Sequence, residues 1–412
     1  MTYHDHHFHP LGYAALRAGL DLMNVTSLHE LMKQVAEQVD TVEGPIVAHR
    51  LNDENLNEGR LPTAAELDQV TGERPALLHR YCGHIAVANT AALRLAGIHS
   101  ATPDPPGGSF DRTLDGTPTG VLRETAVAAV SATLASLIPS PRDQAIREAF
   151  SGLRSMGIRS ITGIVSAGEP LWCGVTDELP TLIRLGPELP VTMDILVITG
   201  DPAKLASAKE ALDQAEGPLR FKGWKGFADG SFGGHTAALH QPYADRPETR
   251  GMLRLDPARD LKMAETALEL GGDVAVHAIG DRAADQVLDL FTVLIERGAP
   301  PHRLRMEHAS LLTDEAIERM GRLGVVASVQ PAFIPSEVTW LERRLGPGRM
   351  GMVYRFRSLL AAGVEVIGGS DAPVELPDPE TGITAAVGRH GINPAEAITR
   401  AEAEALFRPP SA

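Results

Sequence analysis

Val274-Ala275-Val276-His277-Ala278-Ile279-Gly280-Asp281 is an apolar run that gives out in a histidine and then turns through a glycine into a helical stretch. A run without polar alternation is the signature of a parallel strand covered on both faces. The residues that follow, 283–296, carry apolar side chains three and four apart, as an amphipathic helix does. Comparable apolar runs occur at 3–9, 158–164, 191–198, 219–227, 273–278, 303–308, 325–329 and 364–369. Helical patterns at 260–270 and 313–323 separate the later ones. Alternation of strand and helix predicts an α/β protein, and eight units predict a closed (β/α)8 TIM-like barrel. A doubly wound open sheet is the alternative. The barrel is preferred because ligand-type side chains recur at strand ends along the whole chain.

One region does not fit the count. Residues 45–145 contain two further strand-like runs, 45–49 and 76–81, and then a stretch rich in proline and glycine at 102–120. Counted as barrel strands, the two runs would make ten. They are therefore read as part of an insertion after the first unit, folding as a cap within a single hydrolase-sized domain over 1–412. A helix at 393–406 is expected to close the barrel.

A chain of 412 residues can bury a large core. With 43% hydrophobic and 22% charged residues, and no apolar run of membrane-spanning length, it reads as a soluble globular protein. The net charge of -15 repels phosphate backbones and anionic lipid surfaces, which leaves small molecules as expected partners and excludes nucleic acid and membrane. A homo-oligomer is compatible with all of this. The first ten residues hold His4, His6, His7 and His9 and no apolar segment, so they do not read as a secretory signal. Cys82 and Cys173 are too few for a disulfide framework or a thiolate zinc site, and a cytoplasmic location is expected.

Five segments could carry chemistry. In Asp5-His6-His7-Phe8-His9, His7 and His9 are two apart, so a strand would put both imidazoles on one face, with His4 and His6 on the other. A chance histidine-rich terminus is the plain alternative. His277 ends its apolar run, and His308 and Asp371 do likewise in Arg305-Met306-Glu307-His308 and Gly369-Ser370-Asp371-Ala372-Pro373. Each alone is readily explained, as a core histidine bonded to a carbonyl or an aspartate capping a turn. Together, histidines and an aspartate at four strand ends point to a divalent metal site, with zinc the expected ion and one or two bound. The fifth segment holds Lys222 and Lys225, three apart and so on opposite faces. Lys225 is read either as a salt-bridge partner, for instance of Asp229, or as a lysine converted by carbon dioxide to a metal-binding carbamate.

Taken in order, His7-Phe8-His9, Lys225 with Phe227-Ala228-Asp229-Gly230-Ser231, His277 to Asp281, Glu307-His308 and Gly369 to Pro373 resemble the amidohydrolase superfamily. Gly83-His84 with Asn89, the proline and glycine cluster from Thr102 to Gly108, and Gly120-Val121-Leu122-Arg123-Glu124 narrow the resemblance to the amidohydrolase 3 group, which includes N-substituted formamide deformylases. The resemblance covers about residues 5 to 400. It implies that Lys225 is carbamylated and bridges two metals, that His7 and His9 hold one ion and His277 and His308 the other, and that Asp371 both ligates and moves protons. With Lys225 unmodified, His7, His9, His277 and Asp371 would still make a mononuclear site.

The chain departs from the group in places. Relatives usually carry a small β-sandwich built from segments before the first histidine pair and after the last barrel helix, and here it is expected to be missing. The group's Asp-Gly-His stands as Cys82-Gly83-His84, its Gly-Trp-Asp as roughly Arg50-Leu51-Asn52, and its His-Asp as Thr162-Gly163. These positions are expected to face substrate, His84 foremost. Hydrolysis of an amide-type C–N bond, in an N-acyl, N-formyl, urea or cyclic amide substrate, is the leading expectation. Deamination of a heterocycle on the same site and a non-catalytic binding relative are the competitors, and the intact Asp371 speaks against the last.

Overall fold

A computed structural model describes residues 2–41, 44–135, 137, 143–168 and 178–410. The eight apolar runs form one eight-stranded sheet, with Tyr3–Phe8, Ile158–Ser166, Thr192–Ile198, Leu219–Phe227, Asp273–Ala278, Leu304–His308, Val326–Val329 and Glu365–Gly368 in that spatial order. Every neighbouring pair is parallel. The first and eighth strands meet at their exits, where Asp371 N donates to His7 O (2.8 Å) and His9 N donates to Ala372 O (2.8 Å). That pairing makes the sheet a nearly closed (β/α)8 barrel, as expected.

The strands are buried on both faces because helices cover them outside. Two of these helices start where the sequence supplies a side-chain cap. Asp256 accepts from the N–H groups of Ala258 and Arg259 to open Pro257–Glu269, and Thr313 accepts from Ala316 to open Asp314–Leu323, which Gly324 ends in the left-handed conformation (φ 70). The expected helix over 393–406 is not continuous. A 3-10 turn at Pro394–Glu396 is followed by a separate helix, Arg400–Ala405, because Thr399 and Glu402 form a reciprocal capping box and so begin a new helix at that point.

Two compact units divide the chain. One contains the barrel, with Met1–Pro10, Phe150–Gly168 and Glu178 onward; the other spans Leu11–Ala149. The insertion is expected from 45; the second compact unit begins at Leu11, where Leu20–Asp21 pairs with Ile46–Leu51 and the helix Leu28–Val39 packs into the same core. The two extra strand-like runs lie in this unit, as Ile46–Leu51 and Ala76–Arg80 of a separate six-stranded sheet. Among the described residues, no helix is long and apolar enough to cross a membrane.

Candidate metal centre

Parallel register brings the barrel's ionisable residues together. Lys225 pairs with Ala275, Phe227 with His277, and His277 with Glu307 across the fourth to sixth strands. Residues two apart on a strand share a face, so Lys225, His277 and Glu307 all stand on one side of the sheet. His308 follows Glu307 directly and would point the other way on a regular strand. Its backbone is left-handed instead (φ 73), as is that of Asp371 (φ 58). Non-glycine residues held in this region are strained, and such strain clusters at functional sites.

His7, His9 and Asp371 form the tightest group, their ligand-capable atoms all within 4.8 Å of one another. Asp371 Oδ1 lies 3.2 Å from Nε2 of His7 and 3.2 Å from Nε2 of His9. A tetrahedral shell with bonds of about 2.05 Å has donor-to-donor edges of about 3.3 Å, so the two edges from Asp371 Oδ1 already match the spacing a small divalent ion requires. The other imidazoles adjoin them: the His308 ring lies 4.8 Å from that of His7 and 4.5 Å from that of His277. His277 Nε2 donates to Gly230 O (2.9 Å) and faces Asp229 Oδ1 at 3.2 Å, which leaves Nδ1 as the lone-pair side of that ring. The donor set is imidazole and carboxylate without thiolate, and it is buried throughout. It fits a borderline divalent cation.

The surroundings tune these groups. Burial works against a proton on His7, but the Asp371 and Glu307 carboxylates on either side of its ring outweigh that and hold its pKa above the ordinary value. Burial pulls His9 down and His308 well down, the latter helped by the adjacent His277 and His7. Burial alone would raise Asp371, but His7 and His9 hold it well below the usual carboxylate range. Lys225 is pushed down to about 8 by burial. Its Nζ donates to Gly226 O (3.3 Å) and lies 3.9 Å from the centre of the Phe227 ring. Among the described residues it makes no carboxylate ion pair, and the suggested partner Asp229 is engaged elsewhere. Asp229 accepts from the backbone N–H groups of Ala238, Ile279 and Gly280 at 2.8 to 3.0 Å, which fixes the turn after His277. Lys222 pairs with Asp273 (3.2 Å), on the other side of the strand from Lys225.

His4 and His6 do point away from the group, His4 to the hydroxyls of Ser160 and Thr162 and His6 to Arg408 O. His84 lies in the second unit, where its Nδ1 donates to Glu124 Oε2 (2.9 Å). Three residues to which the sequence alone assigns no role also shape the site. Glu307 accepts from His7 Nδ1 (2.5 Å), Arg305 holds Glu307 from behind through Nε (2.9 Å), and Gln330 Oε1 accepts from His308 Nδ1 (2.7 Å). Arg305 and Glu307 are two apart on a strand, and that spacing was a readable signal. Glycine at 369 has a spatial cause as well: a Cβ there would come within 2.4 Å of His7 N and 2.8 Å of Asp5 Oδ1.

Comparison with known proteins agrees with this geometry. The model of the Amidohydrolase family matches residues 4–412. An uncharacterized metal-dependent hydrolase from Pyrococcus horikoshii OT3 superposes with a TM-score of 0.74 at 30% sequence identity, over 98% of this chain and 78% of that one. Protein LONG AFTER FAR-RED 3 of Arabidopsis thaliana is 31% identical over 97% of this chain and 71% of its own length. The N-substituted formamide deformylase of Arthrobacter pascens is 28% identical over 86% of this chain and 67% of its own length.

Proposed function

Because this chain belongs to the amidohydrolase family and is a metal-dependent hydrolase, we propose that it cleaves an amide-type C–N bond in a small molecule, of the N-acyl, N-formyl, urea or cyclic amide class. The observation that carries the reading is the buried Asp371 Oδ1, held 3.2 Å from Nε2 of both His7 and His9. His7 and His9 would hold one divalent ion and His277 and His308 a second, with Asp371 and a carbamylated Lys225 completing the set; zinc is the ion such imidazole-rich ligands favour. When bound, it lowers the pKa of water toward neutrality and polarises the scissile carbonyl.

The chain's own residues supply the rest. Asp371 takes up at its carboxylate the proton that water gives up and delivers it to the departing nitrogen, which must be protonated to leave. Glu307 keeps the proton of His7 on Nδ1, so that Nε2 presents its lone pair. With Lys225 near 8, about a quarter of it is neutral amine at pH 7.5, the form that adds carbon dioxide and loses a proton to become a carbamate.

The test has two stages. Tag-free protein grown with added zinc should carry one to two equivalents of metal by elemental analysis. That protein should then hydrolyse the C–N bond of a member of a panel of N-acyl amino acids, formamides, ureas and cyclic amides. Metal-free protein, or zinc-loaded protein that turns over none of the panel, rejects the reading.

A further inference from the structure

We infer that Gln330 is a positioning residue for His308, selecting the tautomer in which Nε2 is the ligand nitrogen. The inference rests on the reading that His308 holds a metal ion. Gln330 stands immediately after the seventh barrel strand, Val326–Val329, and is 2% exposed. Its Oε1 lies 2.7 Å from His308 Nδ1. An amide oxygen only accepts, so Nδ1 carries the proton and Nε2 is left with its lone pair. A neutral imidazole without such a partner divides itself between two tautomers, and only one of them presents Nε2 to a cation.

Two further observations make this contact more than packing. The left-handed backbone at His308 (φ 73) turns the ring off the regular alternation of its strand, so the ring's direction is not set by the sheet alone. It is set by Gln330 at Nδ1 and by the Phe333 ring stacked against it, 6.1 Å away and 15° from parallel. Moreover, Gln330 Nε2 is buried with no hydrogen-bond partner among the described residues. An apolar side chain of the same length would avoid leaving that donor unsatisfied. What glutamine alone brings to this position is the acceptor that His308 Nδ1 needs. The carboxylate of Glu307 does the same for His7, so each half of the site has its own acceptor behind an imidazole.

The experiment uses the full chain, stripped of metal and titrated with zinc against a competing chelator. Gln330→Leu and Gln330→Met remove the acceptor, Gln330→Glu keeps it, and His308→Ala identifies the zinc whose uptake depends on His308. Zinc held through His308 should bind 10- to 100-fold more weakly in Gln330→Leu and Gln330→Met, the usual cost of losing an outer partner of a ligating histidine. Gln330→Glu should stay within about threefold of the unaltered protein. In the metal-free protein, 15N NMR of the imidazoles should show His308 protonated at Nδ1, with that signature kept by the glutamate variant and lost in the apolar ones. Thermal melts confirm folding, and Gln330→Met serves where Gln330→Leu does not fold. Unchanged zinc affinity in a folded apolar variant overturns the inference and leaves the metal site standing. Zinc uptake unaffected by His308→Ala overturns both.

Discussion

Replacing Asp371 with asparagine separates moving a proton from holding a metal. The amide keeps an oxygen that can face Nε2 of His7 and His9, but it cannot take up a proton at neutral pH. The fold should tolerate the change. Asp371 has a left-handed backbone (φ 58), a conformation asparagine adopts more readily than most residues, and its N–H still donates to His7 O. His7 should respond, because burial opposes its proton and Asp371 is one of the two carboxylates that outweigh burial. The His7 pKa should therefore fall in the variant. General acid–base assistance is worth about 10²- to 10⁴-fold, or roughly 2.7 to 5.5 kcal/mol of barrier at 1.36 kcal/mol per decade. The assay is kcat at saturating substrate on protein whose zinc content is measured in the same preparation. If Asp371 shuttles the proton, the loss reaches that range at full occupancy. If it only ligates, activity follows occupancy and adding zinc restores it. A fully metallated variant with near-normal kcat would refute the shuttle.

Three other outcomes are expected. Protein reconstituted with zinc under carbon dioxide depletion should be poorly active and should recover on adding bicarbonate, whereas Lys225→Ala should not recover; equal activity with and without bicarbonate would exclude the carbamate. Gly369→Ala places a methyl group within 2.4 Å of His7 N, and overpacking of this kind typically costs about 1–3 kcal/mol, so its Tm should drop and its zinc affinity should weaken; an unchanged Tm would mean that the first and eighth strands can part there freely. Glu178 is buried and its carboxyl is pushed up to about 8 by that burial, so the folded protein holds a proton that the unfolded chain has released above about pH 4.5. Its contribution is thus fully present below the unfolded pKa and is lost as pH rises through 8. Glu178→Gln should accordingly gain Tm over the unaltered protein at pH 8.5 and lose that advantage at pH 5, and a difference independent of pH would contradict the buried neutral acid.

The barrel was legible because its strands are read by two independent signals that agree. An uninterrupted apolar run marks a strand, and the ligand-type residue at its end marks the face of the barrel where that strand exits, so the runs ending in His277 and His308 could be aligned without knowing the fold. The second unit was less legible. Its first strand is only Leu20–Asp21, and the helix Leu28–Val39 has the same amphipathic pattern as a barrel helix. Nothing local shows that its apolar side chains, Leu31 and Val35 among them, pack into another core. The helix expected over 393–406 failed for a different reason. Apolar periodicity runs through the segment, but Thr399 and Glu402 cap a new helix inside it, and side-chain hydrogen bonds to orphan N–H groups outweigh periodicity over so short a stretch.

The site was legible as a set of ligands but not as an apparatus for aiming them. Glu307 and His308 are consecutive, and period-two alternation forbids both from facing one side of a regular strand. The structure meets the conflict with a left-handed residue at His308, and it uses another at Asp371, two strand exits where a non-glycine backbone is held against its preference. Neither sequence position announces this, since histidine and aspartate are chosen there for their side chains. What sustains the strain is the set of contacts that over-determines both residues. His308 is held by Gln330 and Phe333, and Asp371 by the backbone of His7 and by both imidazoles of the histidine pair. The contacts of Asp371 join residues more than 300 positions apart, at the exits of the first and last strands. They exist only because the barrel closes, so the sequence can name Asp371 as a ligand while the closure determines where it points.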